Sequence, residues 1–217
     1  MPRSRLDREL GKLRRDLEAM GELVQKVLRD AILALKNRDM ELSSKIIKVD
    51  EEETNVLYRD IEERCIHTIA LHQPVAGDLR FISTTMNVAS NLERIGDYSK
   101  DIAMIIPFIV NEKPENEEKI LEEMAEIAER MTKDAIDAFI NKDKDKVNEV
   151  NINENKVDAL YGSIFPKLKE MVKVNCDKMP MALNLLLIAK YLERIADHSV
   201  NIANRTMYAI KGNDMYL

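Results

Sequence analysis

The chain has no tryptophan, and aromatic residues make up only 5% of it. Glycine and proline are scarce as well, six of each in 217 residues. A sheet-rich fold needs turn residues roughly every 8–12 positions, so this scarcity excludes such a fold and points to long uninterrupted helices. Cys65 and Cys176 are the only cysteines, and they are too far apart for a CxxC pair. That excludes a disulfide scaffold and a cysteine zinc site, and two reduced thiols are expected. No run approaches the roughly 18–20 apolar residues that cross a bilayer; the stretch from Ile102 to Val110 is far too short. The opening MPRSRLDRELGKL lacks the apolar core of a secretory leader, so a cytoplasmic location is expected. Basic charge is in deficit too: 33 Lys and Arg against 39 Asp and Glu leave a net charge of −6. That balance argues against nucleic acid as the main partner, because phosphate binding needs a basic surface.

What is present is a repeat. Asn91-Leu92-Glu93-Arg94-Ile95-Gly96-Asp97-Tyr98-Ser99-Lys100-Asp101-Ile102-Ala103 returns one hundred residues later as Tyr191-Leu192-Glu193-Arg194-Ile195-Ala196-Asp197-His198-Ser199-Val200-Asn201-Ile202-Ala203, with eight of thirteen positions identical. Upstream, Asp30–Ala34 aligns with Asp134–Ala138 at an offset of 104, and Val49-Asp50-Glu51 with Ile152-Asn153-Glu154 at 103. The chain therefore divides into copies at 1–111 and 112–217, joined at the polar, proline-bearing Asn111–Asn116.

Each copy reads as three long helices, with breaks near Asn37-Arg38-Asp39 and Gln73–Gly77, then near Asn141-Lys142-Asp143 and Asn175–Pro180. Short connections make neighbours antiparallel. The expected fold is all-α: a tandem duplication of an antiparallel three-helix bundle, six long helices in two pseudo-symmetric halves. Pro107 and Pro166 fall inside helices and should kink or end them. The last helix carries a heptad seam of Leu185, Leu192, Ser199 and Thr206 beside Ile188, Ile195 and Ile202, with Ala189, Ala196 and Ala203 permitting close approach. The third helix repeats it with Leu92, Ile95, Gly96 and Ser99. The twelve methionines suit gap-filling in such seams.

Glu193 and Asp197 stand four residues apart and continue to Asn201; Glu93, Asp97 and Asp101 match them, and the helical period places both sets outside the seam, on the outer face. Like charges at this spacing repel, and an oxygen-coordinated cation is one way to offset them. Arginines 94 and 194, as ordinary salt-bridge partners, are the other. Glu154 and Asp158 form a further pair on the second copy's middle helix, matched by Glu51 and Asn55. Folding each hairpin at its turn brings the two acidic sets to one height, but leaves open whether they share a face, since Glu154 lies on the apolar stripe of Val147, Val150, Val157 and Ile164. His198 reads as a surface residue with an accessory ligand role as the alternative. There is no phosphate loop, zinc motif or nucleophile elbow, and the Glu-x-x-His spacing of a di-iron bundle is missing.

The doubled Leu-Glu-Arg-Ile-Gly/Ala-Asp, each continuing to an Ile-Ala pair, resembles the signature of the PhoU family over essentially the whole chain. That resemblance implies two three-helix bundles acting without catalysis as a cytoplasmic regulator of high-affinity (Pst) phosphate uptake and of phosphate-starvation signalling. It implies contacts with the transporter ATPase PstB and a PhoR-type sensor kinase, with the membrane reached only through these partners, and is compatible with a homodimer. It also implies a multinuclear iron or another divalent cation on Glu93, Asp97, Glu193 and Asp197, extended to Asp101, Glu51, Glu154 and Asp158. A carboxylate-bridged di-metal redox enzyme and a metal-free helical scaffold are the alternatives.

Overall fold

In the computed structural model, residues 2–111 and 115–211 are described; the side chains of residues 2–4, 49–51, 115 and 116 lie outside that description. The helices are α1 (Pro2–Asn37), α2 (Met40–Lys45), α3 (Glu51–His72), α4 (Ala76–Ile109), α5 (Glu115–Asn141), α6 (Lys144–Val174) and α7 (Met179–Lys211). A π turn, Ile46–Asp50, fuses α2 to α3, so that six rods result, as the sequence indicates. The turn has a cause in the repeat. Ile46 and Val150, both fully buried, match at an offset of 104, whereas the buried Thr54 and Val157 match at 103. The first half thus carries one extra residue between these anchors, and a π turn absorbs one residue without leaving the helix.

The breaks are built alike in both halves. Arg38 and Lys142 take left-handed φ values of 55° and 56°. The amide of Asp39 donates to Ala34 O and that of Asp143 to Ala138 O, closing each helix C-terminus. The same aspartates then open the next helix: Asp39 Oδ1 accepts from the amides of Glu41 and Leu42, and Asp143 Oδ1 from those of Asp145 and Lys146. Neither internal proline stops its helix: α6 runs on from Pro166 to Val174, and α4 from Pro107 to Ile109.

α1, α3 and α4 pack together, as do α5, α6 and α7, and α4 lies along α7 as the most extensive helix pair. The seam residues Leu92, Ile95, Ile102, Leu185, Leu192, Ile195 and Ile202 are all buried. They belong to one apolar core shared by both halves. α1 and α5 run antiparallel, stitched by Arg29–Glu129, Lys36–Glu122 and Arg38–Glu118. At Gly21 a Cβ would come within 3.0 Å of Ile136 Cγ2, so a glycine there lets the two rods touch.

The cysteines differ sharply. Cys65 is buried, and its thiol is pushed up to about 12 by burial and by the Glu62 carboxylate; Cys176 is exposed. Thiolate is the reactive form. N-ethylmaleimide at about pH 8 should therefore modify Cys176 and spare Cys65 in the folded protein, as mass spectrometry of tryptic peptides would show.

Candidate functional site: the acidic groove and the helix pair beside it

Glu193 and Asp197 do not lie on an outer face away from the core. Their side chains are 16% and 33% exposed, and they flank the groove between α6 and α7. Across it, Glu154 and Asp158 of α6 bear on them. Burial, then the carboxylates of Asp158 and Asp197, hold Glu154 above the usual carboxylate range. Burial and Glu193 raise Asp197, against Arg194 and Lys190, and Asp158 adds to the rise. The question of the shared face is thereby answered for the second half: the height match also brings Glu154 and Asp158 toward α7.

Two cations work against the four acids. Lys190 Nζ donates to Glu193 Oε2 at 2.7 Å and sits 5.1 Å from the centre of the Tyr161 ring. Arg194 Nη1 donates to Asp197 Oδ2 at 3.1 Å. Among the described residues no three acidic, histidine or cysteine side chains stand as a preassembled metal cluster. Lys190 escaped the sequence reading because it precedes the matched segment.

The first half is built differently. Arg94 reaches Asp97 at 3.3 Å and Glu93 at 3.4 Å, as Arg194 does in the second half. The counterpart of Lys190 is Ser90, and that of Asp158 is Asn55. Asp101 bears on Tyr191 of α7, whose phenol burial and this carboxylate push up. The Glu51 side chain lies outside the described residues. Gly96 permits close packing here: a Cβ would meet Thr54 Cγ2 at 3.2 Å, whereas the second half seats Ala196 and Val157 at these places.

His198 is not a surface residue. Its Nδ1 lies 2.9 Å from Asn91 Oδ1 on α4. Asn91 Nδ2 is already donating to Asn87 O at 2.8 Å, so Oδ1 is the acceptor and Nδ1 carries the proton. Burial, with Arg94 and Arg194 nearby, keeps the imidazole below its ordinary value and favours the neutral ring. The pseudo-twofold mate of this contact is Tyr98 stacked on Tyr191, centroids 5.8 Å apart, and Tyr98 also meets His198 at 5.7 Å. The offset of 100 contains both pairings, Asn91 with Tyr191 and Tyr98 with His198; what it lacks is any sign that α4 and α7 meet there. Changing Asn91 to alanine strands the Nδ1–H in a half-buried interface. It should lower stability by about 1–3 kcal/mol in urea denaturation.

This duplicated helical bundle has known counterparts. The family model described as the PhoU domain matches residues 17–106 and again 121–206. The chain belongs to the PhoU family. The phosphate-specific transport system accessory protein PhoU homolog of Clostridium acetobutylicum is 34% identical over 218 residues, covering 100% of this chain and 99% of the relative. The PhoU of Escherichia coli K12 is 31% identical over 206 residues, 95% and 85% of the two chains. The crystal structure of PhoU from Pseudomonas aeruginosa superposes with a TM-score of 0.91 at 29% identity, over 95% of this chain and 99% of that one. PhoU from Streptococcus pneumoniae, titled a phosphate transport system regulatory protein, gives 0.86 at 28% identity, over 98% and 100%. No described helix is long and apolar enough to cross a membrane.

Proposed function

We propose that this PhoU-family chain is a non-enzymatic regulator of high-affinity phosphate uptake and starvation signalling, working through contacts with the transporter ATPase PstB and a PhoR-type sensor kinase. The observation that carries this reading is the chain-long likeness to phosphate-specific transport accessory proteins, which runs through both halves. The long helical rods suit docking, and the α7 carboxylates Glu193 and Asp197 are held by Lys190 and Arg194.

A divalent cation, iron or another, belongs to the same proposal. The second half fits it in donor chemistry: four hard oxygen donors against two cations, with Glu154 and Asp197 desolvated and repelled by their neighbours. Glu154, Asp158, Glu193 and Asp197 would hold it there, and Glu93, Asp97 and Asp101 with Glu51 in the first half. The cation would supply positive charge to carboxylates of α6 and α7 that bear on one another. Arg94 and Arg194 favour the rival metal-free scaffold, since they already bridge both acids of each pair.

The decisive measurements are capture of PstB by the purified chain and phosphate uptake in a strain lacking the gene. Capture together with deregulated uptake is expected. Normal uptake and no capture would sink the regulatory reading. Elemental analysis of the protein as isolated, beside a Glu93→Ala/Glu193→Ala variant, separates the metal-bearing regulator from the bare scaffold. Oxygen consumption by iron-loaded protein would instead revive the redox-enzyme alternative.

A further inference from the structure

Beyond Tyr161 and Lys190, the same faces of α6 and α7 change character. The i, i+4, i+7 spacing that places Glu154, Asp158 and Tyr161 on one stripe continues to Phe165, Leu168 and Val172. On α7 it continues from Lys190 back through Leu186 and Leu183 to Met179. Together these six apolar residues line a groove of about 410 Å³ that ends at Cys176. Phe165 is 58% exposed and Leu183 53%, while Val174 beside the tip reaches 81%. Large apolar side chains left in water this way over one contiguous patch mark an interaction surface.

The charge around the patch says what covers it. Lys169 and Lys173 line the groove, and Lys178 stands near its Cys176 end, all exposed. Only Glu170, which bridges Lys173, and Asp177 oppose them in this stretch. This is a basic rim on a chain whose net charge is −6. The first half lacks these lysines: the positions matching Lys169 and Lys173 are Ile66 and Ala70. Two antiparallel helices with an open apolar furrow accept a third helix laid along them, as in a bundle. The sixteen residues from Tyr161 to Cys176 span about 22 Å, room for roughly four helical turns.

We propose that the α6–α7 groove seats an acidic amphipathic helix of a partner protein. This deepens the adaptor reading above and rests on it: apolar residues of the visiting helix fill the furrow while its carboxylates meet the lysine rim. The helix stops at Tyr161 and Lys190, because the carboxylates of the chain's own groove begin there.

The test uses the full chain and a fluorescein-labelled 16-residue peptide with leucines at i, i+3, i+4 and i+7 and glutamates on its flanks. A second peptide carries lysine in place of every glutamate. By anisotropy, the glutamate peptide should bind at least about tenfold more tightly than the lysine peptide. Leu183→Asp, and Lys169→Glu with Lys173→Glu, should each weaken it by about tenfold or more with an unchanged circular-dichroism melt. Bound peptide should slow alkylation of Cys176 by N-ethylmaleimide. Equal binding of both peptides, or full binding to Leu183→Asp, overturns the proposal. So does Leu183-dependent cosedimentation with phosphatidylglycerol vesicles in place of peptide binding, which would assign the face to a lipid surface. A dimer abolished by Leu183→Asp would assign it to a second copy and overturn it likewise. The adaptor reading has its own arm: PstB captured with Cys176 protected supports both. PstB captured with Cys176 unprotected overturns the groove alone, and peptide binding without any capture of PstB overturns the adaptor reading alone.

Discussion

Exchanging Glu193 for glutamine and Asp197 for asparagine is expected to abolish the stabilisation that a divalent cation gives the wild-type protein. A cation that binds only the folded chain stabilises it by about 2.7 kcal/mol when present at about one hundred times its dissociation constant. At the roughly 2–4 °C per kcal/mol typical of this size, the melting temperature of the wild type should rise by about 5–10 °C with ferrous or manganous ion. The double variant should not respond. Without metal the sign reverses. Asp197 and Glu154 sit above their ordinary pKa values, so the folded state disfavours their charged forms. The metal-free protein therefore loses stability as pH rises from the ordinary carboxylate value to the raised folded one, and keeps that deficit at neutral pH. An Asp197→Asn or Glu154→Gln variant should thus melt no lower than metal-free wild type at pH 7. A double variant that kept the full cation-dependent shift would dismiss these carboxylates as ligands.

The second large effect is structural. Leu192 is fully buried in the α7 seam, one heptad from Leu185 and from Ser199, whose hydroxyl meets Thr132 at 3.0 Å. Leu192→Ala should cost about 2–5 kcal/mol, the transfer and cavity terms together, and Leu92→Ala on α4 a similar amount. The apolar core is continuous across the halves. Either substitution should therefore lower one shared transition, seen together by far-ultraviolet circular dichroism and by tyrosine fluorescence. Two separate transitions, with only one displaced, would show that the seam does not couple the halves.

Much of this was legible in the sequence, for physical reasons. The seam at Leu185, Leu192 and Ser199 follows the helical period, and the asparagine-basic-aspartate breaks at 37–39 and 141–143 combine a helix stop with a helix start. The change of offset from 104 to 103 was visible as well, but a one-residue excess can be absorbed in a loop or in a helix; the buried Ile46 and Thr54 hold it in the helix. The candidate site was legible only as far as height along the bundle. Glu154 lies on an apolar stripe, and periodicity cannot say that the stripe's edge opens onto α7. Which residues meet across α4 and α7 depends on the rotation of two helices about their axes. His198 accordingly read as surface, although Asn91 holds it at 2.9 Å.

The antiparallel meeting of α4 and α7 also fixes what the duplication can accomplish. Because Asn91 lies against His198 and Tyr98 against Tyr191, the hairpin turn at 73–75 and the one at 175–178 point to opposite poles of a rod about 50 Å long, the length of a 34-residue helix. Those poles are not alike: beside the second turn the open apolar furrow ends at Cys176, whereas beside the first turn Gly77 and Asp78 share a recess with Arg14 and Lys142. A rod with two unlike ends can be gripped by two different bodies at once. The second grip then becomes an intramolecular event, strengthened by effective concentration without any new contact. Internal duplication followed by divergence thus leaves a rod whose two ends are no longer equivalent.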